Sequence, residues 1–184
     1  SISKFKTFSP ATADPEIVYA RLLRNLESAC IKARRYQLGA KKLSVFLRQQ
    51  NFHTLGSSLT LSRAEDSPLI LNRFLKHAFV EAFRPRQLYR ATGVVLEKLE
   101  EIKPIQFCLF ENPAATLEKK EVFKTVDTIN RRFGKRTVFL SPGLSLLTQF
   151  QGSRAQTPFR KGHLLKGETP RQRIALPLLK YKGV

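Results

Sequence analysis

The chain has 184 residues, with 33 Lys and Arg against 14 Asp and Glu, a formal net charge of +19. An apolar fraction of 42%, with 14 Phe, is enough for a buried core and excludes a disordered basic tail as the whole chain. No run approaches the ~18 consecutive apolar residues of a membrane span, no export signal opens the sequence, and two isolated cysteines, Cys30 and Cys108, exclude a disulfide scaffold and set a reducing compartment as the expectation.

Ser1 to Ser9 suits an extended segment that Pro10 stops. Asp14, Pro15 and Glu16 form a helix start, with a capping side chain, Pro at the first helical position and an acid near the dipole. Val18, Leu22, Leu26, Ala29 and Ala33 then recur at helical spacing until Gly39, and Cys30 on the same stripe reads as core. Lys42 to Arg48 switches to period two, with Leu43, Val45 and Leu47 on one face. After a turn over Asn51 to Gly56, Ser58 to Ser62 alternates again, an antiparallel partner for the preceding strand. Ser67 and Pro68 open a second helix that runs to Phe83, and Leu88 to Leu96 is a further strand, with Gly93 marking a bulge or the close approach of another backbone.

The expected fold is therefore α+β: strand, helix, strand, strand, helix, strand, as a four-stranded sheet with both helices on one face. A segment from Ile105 to Phe110 follows, punctuated by Pro104 and Pro113. Leu117 to Phe133 reads as a third helix, with Val122, Val126, Ile129 and Phe133 on one stripe and Gly134 as terminator; Thr137 to Leu140 is a candidate strand. From Ser141 onward no period is sustained, and weak or partner-dependent order is expected. The implied organisation is a domain over 1–101, a linker over 102–115 and a basic extension over 116–184.

Charge is unevenly placed. From Ile129 to the C-terminus twelve bases face a single acid, Glu168. Such a surplus points first to nucleic acid. Catalytic chemistry is not legible: the acids form no converging cluster, His53, His77 and His163 are far apart, and no phosphate-cradling glycine loop or nucleophile elbow occurs. The expectation is a binding segment with no metal site. Alternation assigns Lys42, Ser44, Arg48, Ser58, Thr60 and Ser62 to the uncovered sheet face, with Lys4 and Lys6 from the first strand and Arg90 from the last. Bases interspersed with small hydroxyls suit phosphate contacts, although an ordinary solvated sheet carries the same residue types. Phe46 is the one aromatic expected there, which favours duplex backbone over base stacking.

Four segments then carry a resemblance: SISKFKTF (1–8), AKKLSVFLR (40–48), LTLSR (59–63) and LYRATGV (88–94) are similar to the C-terminal little-finger domain of Y-family lesion-bypass DNA polymerases, and INRRFGKRTV (129–138) resembles the extension of the bacterial error-prone branch. The resemblance implies a sheet laid against duplex DNA, with Lys4, Lys6, Lys42, Arg48 and Arg90 at phosphates. Ser3, Lys41, Ser44, Ser62 and Arg63, within or beside the matching segments, complete the expected contact set. Ala91 and Val95 stand where many relatives carry bases, which thins the last strand's contribution. The resemblance also implies a catalytic part with bound Mg2+ preceding Ser1, in keeping with a chain that lacks any Met and reads as a piece of something longer.

Gln106, Phe107, Cys108, Leu109 and Phe110 resemble the bacterial sliding-clamp-binding pentapeptide, in which Gln reaches backbone groups and the final Leu and Phe fill a pocket. A short edge strand is the other reading of those residues. The expected partners are a primer-template duplex and the sliding clamp, for a monomer in the bacterial cytoplasm at the nucleoid, with no membrane. Two rival functions remain open: a stand-alone RNA- or ribosome-binding module, and a protein-interaction scaffold.

Overall fold

A computed structural model describes residues 1–102, 113–134 and 136–146, of which 113–120 are described in backbone only. The elements are β1 (Ile2–Thr12), α1 (Pro15–Arg35), β2 (Leu38–Gln49), β3 (Thr54–Glu65), α2 (Pro68–Ala82), β4 (Tyr89–Glu101) and α3 (Pro113–Arg132), followed by a short 3-10 turn at Ser141–Gly143. The expected pentapeptide, Gln106 to Phe110, lies outside the described residues, as does the tail from 147 onward.

The four strands form one antiparallel sheet in the order β1-β4-β2-β3. This order is unchanged when the halves β1-α1-β2 and β3-α2-β4 are exchanged, so each half gives the sheet one edge strand and one central strand. Both helices cover the same face. Leu43, Val45, Leu47, Val94 and Leu96 point toward Val18, Leu22, Leu26, Leu71 and Leu75, all fully buried. Each such Leu contributes roughly 1.5–3 kcal/mol by leaving water. Cys30 belongs to this core, and burial pushes its thiol pKa up. Among the described residues, no helix is long and apolar enough to cross a membrane.

Three local expectations need correction. Helix α1 starts as expected, with the Asp14 side chain accepting the Glu16 N–H at 2.9 Å, but it does not run to Gly39. Gln37 takes the left-handed conformation (φ 56°) that ends it, and Gly39 lies inside β2. A Cβ there would come within 3.0 Å of Ala64 and the Glu65 nitrogen, so the glycine is required by the approach of β3 rather than by a helix end. Strand β1 continues past Pro10 to Thr12; as an edge strand it tolerates a residue with no N–H, and its pairing with β4 is irregular between Thr7 and Thr12. Thr137 to Leu140 is not a strand. The segment bends back, held by Asn130, whose side chain donates to the Val138 carbonyl and accepts the Val138 N–H, both at 2.9 Å.

All described residues belong to a unit that extends to Thr148, and α3 and the bend after it belong with α1. Arg34 on α1 forms a two-pronged ion pair with Asp127 on α3 (2.7 and 2.8 Å) and lies over the Phe123 ring at 5.1 Å. The inward side of α3 is therefore marked by buried Phe123 and by Asp127, while Val122 and Phe133, expected on its apolar stripe, are exposed.

Candidate nucleic-acid interface

Register decides which side chains share the open face, because directly paired residues point to the same side of a sheet. Lys42, Ser44, Phe46 and Arg48 of β2 stand opposite Thr60, Ser58, Gly56 and Thr54 of β3. On their other side stand Glu97, Val95, Gly93 and Ala91 of β4. These residues form the open face, as the alternation of β2 and β3 predicts. Ser62 and Arg63 lie exposed farther along β3, past an irregularity in its pairing with β2.

Strand β1 is the exception. Ser3, Phe5 and Thr7 pair with Val95, Gly93 and Ala91 and so face outward, whereas Lys4 and Lys6 pair with Val94 and Thr92 on the helix side. The expectation that Lys4 and Lys6 lie on the open face is corrected. Ile2 is buried in the core and shares their parity, so anchoring it turns both lysines with it. Lys6 lines a small cleft with Phe8, Arg21 and Arg24 on the helix side.

Three of the expected phosphate contacts, Lys41, Lys42 and Ser44, are already engaged. Glu97 accepts from Ser44 Oγ at 2.6 Å and from Lys42 Nζ at 3.0 Å, and these bonds hold its carboxyl below the usual carboxylate range. Ser44 is itself buried. Lys41 is paired with Glu100 at 2.9 Å. The acids near the end of β4 thus sit beside the bases of β2, a pairing that depends on register and is invisible in either strand alone.

The opposite end of the face is different. A shift between Arg48 and Gln49 inserts Arg90 as an extra residue in β4, and Arg90 reaches the corner where Arg48 stands. Both guanidinium groups lie over the ring of Phe52, at 4.5 Å for Arg90 and 5.8 Å for Arg48. Phe52, 62% exposed and at φ 69°, is held in a tight turn: its N–H bonds to Gln49 O, and Asn51 accepts the His53 N–H.

Between these ends lies an apolar centre. Phe5 is 60% exposed, and its ring lies 5.8 Å from that of Phe46 at an interplanar angle of 38°. It rests on Gly93, where a Cβ would meet the ring at 2.1 Å. The close approach expected at Gly93 is real, but it comes from a side chain and not from another backbone. Nor is Phe46 the one aromatic of this face. Sequence reasoning missed Phe5, Phe52 and Glu97; counting in steps of two from Ile2 exposes the first, while the other two need a turn conformation and a register.

The C-terminal domain profile of the impB/mucB/samB family matches residues 1–109. No curated protein matches the chain. Solved structures similar to it include an insertion ternary complex of Dbh DNA polymerase, at 14% identity and TM-score 0.40 over 50% of this chain and 26% of that one. DinB from Sulfolobus solfataricus gives 14% and 0.41 over 52% and 27%. The little finger domain of PolIV, solved with the beta-clamp processivity factor, gives 15% and 0.41 over 60% and 98%. The chain thus spans about a quarter of the length of the two polymerases.

Proposed function

Since the chain belongs to the impB/mucB/samB family through its C-terminal domain, we propose that it is the little finger of a Y-family, error-prone translesion DNA polymerase and grips a primer-template duplex by phosphate contacts. The observation that carries this reading is the corner where Arg48 and Arg90, from two strands, gather at Phe52 with no acid paired to either among the described ion pairs. Exposed Ser58, Thr60, Ser62 and Arg63 extend the surface along β3, and Ser3 and Thr7 along β1. Lys4 and Lys6 would act from the helix side of the sheet edge rather than from its open face. Contacts of this kind position a duplex without reading its sequence.

The segment between β4 and α3, with Gln106, Phe107, Leu109 and Phe110, we assign to a sliding clamp as an extended peptide anchored by apolar side chains. The working form is a monomer in the cytoplasm at the nucleoid, serving DNA-damage tolerance. Nucleotidyl transfer with Mg2+ is the proposed activity of the longer protein. Among the described residues, no three His, Cys, Asp or Glu side chains come together as a metal site, so no step of that chemistry is assigned to this chain.

The test is duplex affinity as a function of salt. A steep linear fall of log affinity with log salt is expected, and Arg48→Ala lowers the slope by about 1. Lys42→Ala lowers it less, because Glu97 already holds that ammonium. Affinity indifferent to salt overturns the phosphate-contact reading.

A further inference from the structure

The aromatic centre of the open face has no role in a grip made of phosphate contacts. Phe5 is a large apolar side chain left 60% exposed at the middle of a face whose ends carry hydroxyls and charges. It is held in place: Gly93 beneath it leaves the ring room to lie flat on the strand, and Phe46 flanks it at 5.8 Å. Beside these rings is a shallow hollow lined by Phe5, Thr7, Phe46, Arg48, Thr54 and Gly93. Its floor is low where Ala91 carries only a methyl group. Its walls offer two aromatic rings, one guanidinium group and two threonine hydroxyls, with Arg90 and Phe52 just beyond Arg48.

A duplex backbone uses little of this. Its phosphates want cations and donors, and its bases are stacked inside. An unpaired nucleotide uses all of it: a base has an apolar π face for the rings, polar edges for hydroxyls, and a phosphate on the same residue for an arginine. From this composition and charge complementarity we infer that the hollow binds one unpaired nucleotide of a single-stranded DNA segment, its base against Phe5 and Phe46 and its phosphate toward Arg48 and Arg90. The inference rests on the DNA-binding reading above and adds a second kind of contact to it, specific for single-stranded DNA adjoining the duplex.

The chain contains no Trp, so Phe5→Trp introduces a single reporter at the hollow. Its fluorescence is expected to be quenched by a duplex with a single-stranded overhang and left unchanged by the blunt duplex. In parallel, Phe5→Ala is expected to lower affinity for the overhang substrate about tenfold, from the loss of one stacked base, with blunt-duplex affinity unaltered. Phe5→Leu keeps Gly93 covered but cannot stack, so it should behave like Phe5→Ala; recovery of overhang affinity by Leu would mean that cover rather than stacking matters, and would overturn the inference. Equal losses on both substrates, or no loss on either, also overturn it. An abasic nucleotide series along the overhang locates the position: one site should be affected in the wild type and none in Phe5→Ala. If the wild type binds blunt duplex with steep salt dependence but ignores the overhang, this inference fails and the phosphate grip stands. If it binds neither substrate, both fail.

Discussion

Glu27, on the side of α1 away from the sheet, accepts the Leu140 N–H at 2.7 Å and so ties the end of the extension to the first helix. Burial raises its pKa, and the Leu140 hydrogen bond and the charges of Arg136, Arg24 and Arg34 offset only part of that rise. A carboxyl whose folded pKa is raised contributes stability that is full below its unfolded value, near pH 4, and is lost as pH rises through the folded value. Glu27→Gln keeps an acceptor for Leu140 and removes the titration. Urea unfolding between pH 4 and 8 should therefore give the wild type a steeper loss of stability with rising pH than the variant has. Equal slopes would show that the carboxyl does not titrate differently on folding. The pKa of nearby Arg136 falls to about 10 because it is buried and close to Arg24. Glu27 is the acid that offsets both cations, so removing its charge should also loosen the segment that carries Arg136.

At the level of elements, α3 is docked, among the described residues, through Arg34, Asp127 and Phe123. The side chains of Arg34 and Asp127 are only 12% and 18% exposed, and Phe123 is the buried apolar residue beside them. Asp127→Ala leaves Arg34 with its bond to the Asp66 carbonyl but without its ionic partner. The cost should be about 1.5–3 kcal/mol, the range for a hydrogen bond to a charged group, and should be felt locally. Hydrogen exchange is the measurement that separates this from global unfolding: amides of α3 should lose protection while those of β2 and β4 keep theirs. None of this docking was readable beforehand, because the sequence stripe through Val122 and Phe133 marks the apolar side of an isolated helix, whereas an ion pair to Arg34, far away in the chain, sets the actual one. By contrast α1, α2, β2 and β3 were legible. Their caps, prolines and strict alternation are local signals, and the core residues Leu43, Val45 and Leu47 fall where alternation places them. Strand β1 shows the middle case. Its apolar residues Ile2, Phe5 and Phe8 recur every three positions, which fits neither period, and only the burial of Ile2 settles that Phe5 faces out and Lys4 and Lys6 do not.

Across the whole molecule the charge of +19 is distributed unequally over the proposed contacts. Part of the basic surface of the sheet is neutralised by Glu97 and Glu100, and the Arg48 and Arg90 corner carries the duplex reading. The peptide proposed to bind the clamp is a separate stretch of the sequence, so the two proposed handles should act independently. Leu109→Ala with Phe110→Ala should abolish binding to a sliding clamp and leave duplex affinity within twofold, while Arg48→Glu with Arg90→Glu should do the reverse; titration of each variant with both partners is the check. Loss of both functions in either variant would refute independent handles. The strand order has one more consequence, for how the chain is made. Ile2 must find Leu96, and β4 is the last strand of the sheet to leave the ribosome yet lies between the two already made on either side of it. Until it is available, β1 has no partner and β2 has one free edge, so a nascent chain that ends before Tyr89 holds a β2-β3 hairpin with α2 beside a detached first strand. Pairings this distant close late and expose strand edges in the meantime. Co-translational folding should then proceed in two stages, the hairpin first and the remaining sheet in a single closing event when β4 emerges.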